Sequence, residues 1–244
     1  MKKIFTIAAI ALFMISCSED NNEPINPTVD APILLKHYSR EDGNYIQNYD
    51  IEYDGNRMIK LQLVDDFLIQ NYNYTNNILT YIKTTSSSSS YELFIEYYQN
   101  GKIKKNTIID QTGEIWRNEL SYPNNNSYVE TSYVGMPEPS ITTYTLQNKN
   151  IITEESYGRR IEYEYDDKNA PKKNVDFADT FNFIRFDNDG EYGNNNRTKL
   201  TIYIENEIYQ IYTYEYTYNS NNYPLTKKTF HNGQYLYSIT YSYE

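Results

Sequence analysis

Tyr212-Thr213-Tyr214-Glu215-Tyr216-Thr217-Tyr218-Asn219-Ser220-Asn221-Asn222-Tyr223-Pro224-Leu225 is the stretch on which the fold turns. Strict alternation of aromatic and polar residues fits a β-strand, whose side chains point to opposite faces in turn, and not a helix of period 3.6. The four tyrosines from Tyr212 to Tyr218 share one face, and Thr213, Glu215 and Thr217 share the other. The Asn-rich run that follows supplies residues that tolerate the left-handed backbone of a tight turn. Leu225-Thr226-Lys227-Lys228 then begins a returning strand, so the unit reads as a β-hairpin.

Moving outward, the same unit recurs. Copies run Ile51 to Lys60 through Tyr53-Asp54-Gly55, Tyr72 to Thr80 through Asn76-Asn77, and Ile95 to Lys105 through Asn100-Gly101. Others run Leu120 to Tyr128, Tyr144 to Ile151 and Ile161 to Asn169, and Ile239-Thr240-Tyr241-Ser242-Tyr243 is a closing half-copy. Equivalent Tyr or Leu positions are mostly 19 to 25 residues apart, with one longer gap from Tyr165 to Tyr218. Two short strands and two turns fill such a step, leaving no room for a helix of ordinary length. The expected fold is all-β: an antiparallel meander of hairpins forming a large curled sheet or half-barrel. Its Tyr/Ile face must be covered, because an open aromatic face of that size aggregates. The break in the repeat offers a lid. Phe177, Phe181 and Ile184 are spaced i, i+4, i+7, so a short helical or irregular insert is expected over 175–186. Ser86 to Ser90 reads as a hairpin tip.

The unit resembles the YD-type (RHS-like) hairpin repeats of bacterial surface and toxin-shell proteins. It resembles more closely repeat lipoproteins that carry a Tyr-x-Tyr-Asp-x-Asn-Gly unit. Only Tyr53-Asp54-Gly55 and Tyr98-Gln99-Asn100-Gly101 come close to that motif in full. The resemblance implies a fold and no activity.

The amino terminus carries a different signal. Lys2 and Lys3 precede an apolar run from Ile4 to Ile15, too short to span a bilayer as a helix and suited to a secretory signal. Met14-Ile15-Ser16-Cys17 resembles the bacterial lipobox, which implies cleavage before Cys17 and acylation of that cysteine. Two or three acyl chains at about 0.8 kcal/mol per buried methylene make a stable anchor. The expected organisation is a signal peptide over 1–16, lipidated Cys17 with a flexible acidic tether over 17–31, and the repeat domain over 32–244. Ser18-Glu19-Asp20 resembles the sorting and surface-export signals of outer-membrane lipoproteins. The expected location is therefore the outer membrane, facing the cell exterior, with a periplasm-facing anchor as the alternative. Cys17 is the only cysteine, so disulfides, Cys-ligated zinc and thiol nucleophiles are excluded.

A net charge of −11 argues against nucleic acid as a partner. Lys104-Lys105, Lys172-Lys173 and Lys227-Lys228 are too dispersed for a basic footprint and read as strand-edge or outward-facing charges. His37 and His231 are the only histidines, one at the start of the repeat domain and one beside a turn, and neither has the sequence context of a catalytic triad. Asp65-Asp66, Glu154-Glu155 and Asp166-Asp167 are adjacent acids that a strand sends to opposite faces, which does not make a glycosidase pair. Asp187 and Asp189 sit in a weak calcium-loop pattern. If Gly190 took the sixth position of an EF-hand loop, Arg185 would fill the first, where an oxygen ligand is required. Asp189-Gly190 is also a hairpin-turn dipeptide in its own right.

Aromatic faces stack on sugars while Asn and Asp oxygens orient them, and Trp116, Tyr214 and Tyr216 are the candidate platform. No cofactor is expected. The partners expected are the membrane, through the lipid, and a glycan or protein. The sequence thus points to a lipid-anchored, non-catalytic surface binding module. A structural envelope protein without soluble ligand is the alternative, and a carboxylate-dependent glycoside hydrolase the third reading.

Overall fold

The computed structural model describes residues 32–134, 138–177 and 192–244. Sixteen strands follow one another: β1 (Leu35–Asp42), β2 (Tyr45–Asp54), β3 (Arg57–Leu63), β4 (Leu68–Thr75), β5 (Ile78–Thr85), β6 (Ser90–Tyr97), β7 (Ile103–Asp110) and β8 (Gly113–Asn124) form the first half. The second half is β9 (Ser127–Tyr133), β10 (Ser140–Gln147), β11 (Asn150–Ser156), β12 (Arg159–Asn169), β13 (Asn195–Ile204), β14 (Glu207–Tyr218), β15 (Pro224–His231) and β16 (Gln234–Tyr243). Each strand pairs with its sequence neighbours and β1 pairs with β16, so the meander is a closed barrel. The curled sheet or half-barrel expected above is corrected by this closure, and the reason lies at the chain ends. β1 precedes the first full hairpin and the Ile239–Tyr243 half-copy lies on β16, so each brings one unpaired edge. The edges meet with Leu35 opposite Tyr243 and Tyr38 opposite Tyr241. Leu34 and Glu244 extend the ladder with reciprocal backbone bonds of 3.0 and 3.1 Å. Closure removes the edges on which other chains pair.

The two faces of the wall differ sharply. Inward go Leu79, Ile82, Leu93, Leu120, Tyr128, Tyr144 and Ile239, all at 2% exposure or less. Outward go cross-strand ion pairs: Glu52 with Lys60 at 2.8 Å, Lys83 with Glu92 at 3.4 Å, Glu96 with Lys105 at 2.5 Å and Glu164 with Lys199 at 2.9 Å. A circular barrel of sixteen strands leaves an open channel. Side chains buried to this degree do not line one. The buried apolar cluster draws on β1 to β10 and β16, with Val175 and Tyr192 from the β12–β13 connection.

The repeated tyrosine has a specific task. Tyr53 Oη donates to the Leu35 carbonyl at 2.7 Å, Tyr74 to Met58 at 2.8 Å, Tyr97 to Leu79 at 2.7 Å and Tyr122 to Ile103 at 3.0 Å. Tyr165 donates to Ile151 and Tyr216 to Arg197, both at 2.8 Å. Every acceptor sits at a register shift: Leu35 against β16, Met58 against β2, Leu79 against β4, Ile103 against β6, Ile151 against β10 and Arg197 against β12. A β-bulge disrupts the ladder locally, and the tyrosine of the following hairpin satisfies a carbonyl there. Burial pushes the phenols of Tyr74, Tyr122, Tyr165 and Tyr216 up, which keeps them protonated as donors. Tyr122→Phe should therefore lower the urea midpoint by an amount equivalent to about 1 kcal/mol, leaving the Ile103 carbonyl short of a donor.

Asparagine, the other abundant residue, serves the turns. Asn76-Asn77, Asn148-Lys149, Glu205-Asn206 and Asn232-Gly233 each hold positive φ at both positions. That is the two-residue hairpin turn whose twist matches the flanking strands. Ser86–Ser89 closes the β5–β6 turn through the Ser86 hydroxyl and backbone, as expected of a hairpin tip.

No helix occurs among the described residues, and 175–177, the described part of the helical or irregular insert expected over 175–186, is irregular. Residues 170–177 form successive turns, with i to i+3 bonds from Lys173 to Ala170 and from Val175 to Lys172. Phe177 has φ 65, which ends any helical path there. The covering role does appear in these residues. Val175 is 4% exposed, Phe177 packs 5.9 Å from the Tyr74 ring, and Asp176 N–H bonds the Asn56 carbonyl at 2.9 Å. Asn174 reaches the Ile33 carbonyl and the Tyr223 hydroxyl. Residues 178–186 lie outside the described residues.

Candidate functional site

The buried apolar cluster takes no residue from β12 to β15. The inner wall there mixes tyrosines and charged residues with Ile161, Leu200 and Ile202. Tyr163 and Tyr165 on β12 share it with Arg197 and Leu200 on β13, because directly opposed residues lie on one face: Tyr163 faces Leu200 and Tyr165 faces Arg197. On β14, Tyr212, Tyr214 and Tyr216 continue it, opposite His231, Thr229 and Lys227 of β15. None of the residues of β14 is fully buried, and Tyr163, Tyr165, Arg197 and Leu200 also keep accessible surface.

Arg197 is the centre of this wall. Its guanidinium lies 4.7 Å from the Tyr163 ring centroid, favourable for a cation on a π face. Lys227 is 1% exposed, with Nζ 5.5 Å from the Tyr214 ring. Arg40 of β1 lies 3.8 Å over the Tyr237 ring, and both Arg40 and Lys227 face Ile239 across the ladder. At the other edge, Tyr163 donates to Glu154 at 3.0 Å, and Arg159 approaches the same carboxylate at 3.5 Å.

Burial pushes the Glu154 carboxyl above its ordinary value, against the opposing pull of Tyr163, Arg159 and Arg197. A carboxyl raised by folding binds more protons folded than unfolded. It thus favours the fold below its unfolded value and weakens it as pH rises through the folded one. Glu154→Gln should consequently raise the melting temperature at pH 8, and the gain should fade as pH falls below the ordinary carboxylate range. An unchanged difference between pH 8 and pH 4 contradicts this.

Of the platform residues proposed from sequence, Tyr214 and Tyr216 come together on this wall beside Arg197. Trp116 does not join them. It sits on β8, where its indole N–H bonds Asn118 Oδ1 at 2.7 Å and Ser132 Oγ at 2.8 Å. Asp187 and Asp189 lie outside the described residues. His37 is on the outer face, paired with Asp50 at 2.7 Å, and His231 stacks on Tyr212 at 4.6 Å. Two lysine pairs need correction. Lys227 points inward and Lys228 outward, and Lys172 is buried at 1% against Tyr192 and Tyr38 while Lys173 is exposed. Lys227 lies directly opposite Tyr216, a pairing set by cross-strand register rather than by alternation along the chain. Arg197 likewise had no signal in the sequence, because it follows an Asn run that reads as turn.

No family model matches the chain, and no curated protein matches it. Among solved structures, a porin-like protein from Bacteroides vulgatus aligns over 87% of this chain and 99% of its own, with TM-score 0.56 and 13% identity. A porin-like protein from Bacteroides uniformis aligns over 86% and 85%, at TM-score 0.40 and 13% identity. The first likeness is one of fold: an antiparallel β-barrel architecture shared without appreciable sequence similarity.

Proposed function

We propose that this protein is a lipid-anchored, non-catalytic binding module of the outer membrane, tethered through acylated Cys17, with its barrel in the aqueous phase. The observation that carries the reading is the polarity of the wall. A membrane-spanning barrel turns an apolar band outward and polar groups inward, and here the ion-paired charges are outside. The barrel likeness to a porin-like protein supports an envelope setting, while the outer charges argue for a domain that stands in water. Inside, the tyrosine-lined wall of β11 to β15, with Arg197, Lys227 and Glu154 on it, is the binding surface. A glycan-array and pull-down screen of residues 31–244 tests this. Capture of a soluble glycan supports it, and a screen without a glycan binder removes it.

A second reading rests on the end of the barrel away from the β12–β13 connection. The turns and strand ends there expose Tyr45 (59%), Phe67 (59%), Tyr157 (105%), Tyr209 (60%) and Tyr235 (50%). Exposed apolar side chains gathered at one end mark protein contact surfaces. This favours the structural alternative, a barrel that docks a partner protein rather than a soluble ligand.

A further inference from the structure

We propose that the end of the barrel away from the β12–β13 connection docks a protein segment that is both basic and apolar. The inference rests on the second reading above and assigns the chemistry of the partner.

Closure decides how that end recognises anything. The closed barrel has no free strand edge, so a partner cannot add a strand and must be held by side chains. The exposed aromatics form an arc rather than a scatter. The hairpins β11–β12, β13–β14, β15–β16, β1–β2 and β3–β4 are consecutive around the barrel, and they present Tyr157, Tyr209, Tyr235, Tyr45 and Phe67 in that order. The next hairpin, β5–β6, has the polar tip Ser86–Ser89 and ends the arc. At the arc's other end, Ile141 and Tyr157 line an open cleft of about 440 Å³ together with Glu138 and Ser156. Both Ile141 and Tyr157 are exposed there, which makes the cleft a concave seat for an anchoring side chain.

Charge selects the occupant. The turns of this end contain Asp65, Asp66, Glu138 and Glu205 and no lysine or arginine. The short turns of the opposite end contain Lys102 and Lys149 and no acid. Arg159, the first residue of β12, already meets Glu154 at 3.5 Å. Glu138, Glu205 and the neighbouring Glu207 are exposed and form no ion pair among the described residues. An anionic lipid surface is repelled by such a face, and a second copy would set acid against acid. The chain preceding β1 enters at the opposite end, where Leu34 pairs with Glu244. A segment that alternates lysine or arginine with apolar anchors satisfies the carboxylates and covers the aromatics together.

The test is fluorescence anisotropy of labelled peptides against the full acylated chain in phosphatidylcholine nanodiscs, with empty nanodiscs as the blank. The probes are three peptides of equal length: one alternating Lys with Leu and Trp, one with Glu for Lys, and one with Ser for Leu and Trp. The first should bind at least tenfold tighter than either of the others, and rising salt should weaken it. Tyr157→Ser and Glu138→Lys should each lose several-fold of that affinity at an unchanged melting temperature, since both side chains are exposed. Phe94→Ala, at an exposed aromatic in the middle of β6, should lose none. Equal affinity for the Lys and Glu peptides, or binding by none of the three, overturns the basic-partner assignment. A photo-crosslinkable residue in place of Tyr157 separates that failure from failure of the reading beneath it. Protein cross-linked in intact cells then leaves docking standing, and none removes docking as well. Undiminished affinity in both Tyr157→Ser and Glu138→Lys puts the peptide elsewhere and overturns the proposal. So does flotation of the Cys17→Ser chain with phosphatidylglycerol vesicles, or its self-association, if Tyr157→Ser abolishes it.

Discussion

Leu79→Ala should lower the stability of the barrel by about 2–5 kcal/mol, the range for truncating a fully buried leucine where the surroundings cannot collapse. Leu79 is 0% exposed, belongs to the cluster shared by β1 to β10 and β16, and its carbonyl takes the Tyr97 hydroxyl. In a domain of this size each kcal/mol moves the melting temperature by roughly 2–4 °C, so thermal unfolding followed by circular dichroism resolves the effect easily. Phe94→Ala is the control. Phe94 lies on the outer face of β6, 40% exposed and tilted against Tyr81 at 5.1 Å. Its loss should change stability by less than about 1 kcal/mol. If Phe94→Ala proves as damaging as Leu79→Ala, the assignment of inner and outer faces is wrong.

Cys17→Ser should move the protein from the membrane fraction to the soluble one. The expectation follows from the lipobox resemblance together with the charged outer wall. Acyl chains supply the membrane affinity at about 0.8 kcal/mol per methylene, and the ion-paired wall supplies none. No helix among the described residues is long and apolar enough to cross a membrane. Radiolabelled palmitate should enter the wild-type chain and not the variant. A Cys17→Ser protein that remains in the membrane pellet through alkaline extraction would show that the barrel itself holds the bilayer.

The repeat was legible because two residue types carry it. Alternation from Tyr212 to Tyr218 gives one strand with two faces, and the Asn pairs give the turns, so antiparallel hairpins follow from local rules. Closure was not legible. It depends on Leu35 finding Tyr243 across more than two hundred residues, and no local rule counts strands to sixteen. The task of the repeated tyrosine was hidden for a related reason. Its hydroxyl serves a bulge in a neighbouring hairpin, and bulges leave no signature in the alternation of side chains. The candidate site was half legible. Tyr214 and Tyr216 stood out as an aromatic face, whereas Arg197 and Lys227 read as turn and surface charge. Both became visible only when cross-strand register put them opposite Tyr165 and Tyr216.

The barrel is closed, with its ion-paired charges outside and its buried apolar cluster within. Sedimentation of residues 31–244 in detergent-free buffer, paired with conductance recording after addition to a planar bilayer, tests it most directly. The account predicts a monodisperse soluble species and no conductance steps. A protein that stays in solution only with detergent and opens stepwise channels in the bilayer would contradict it.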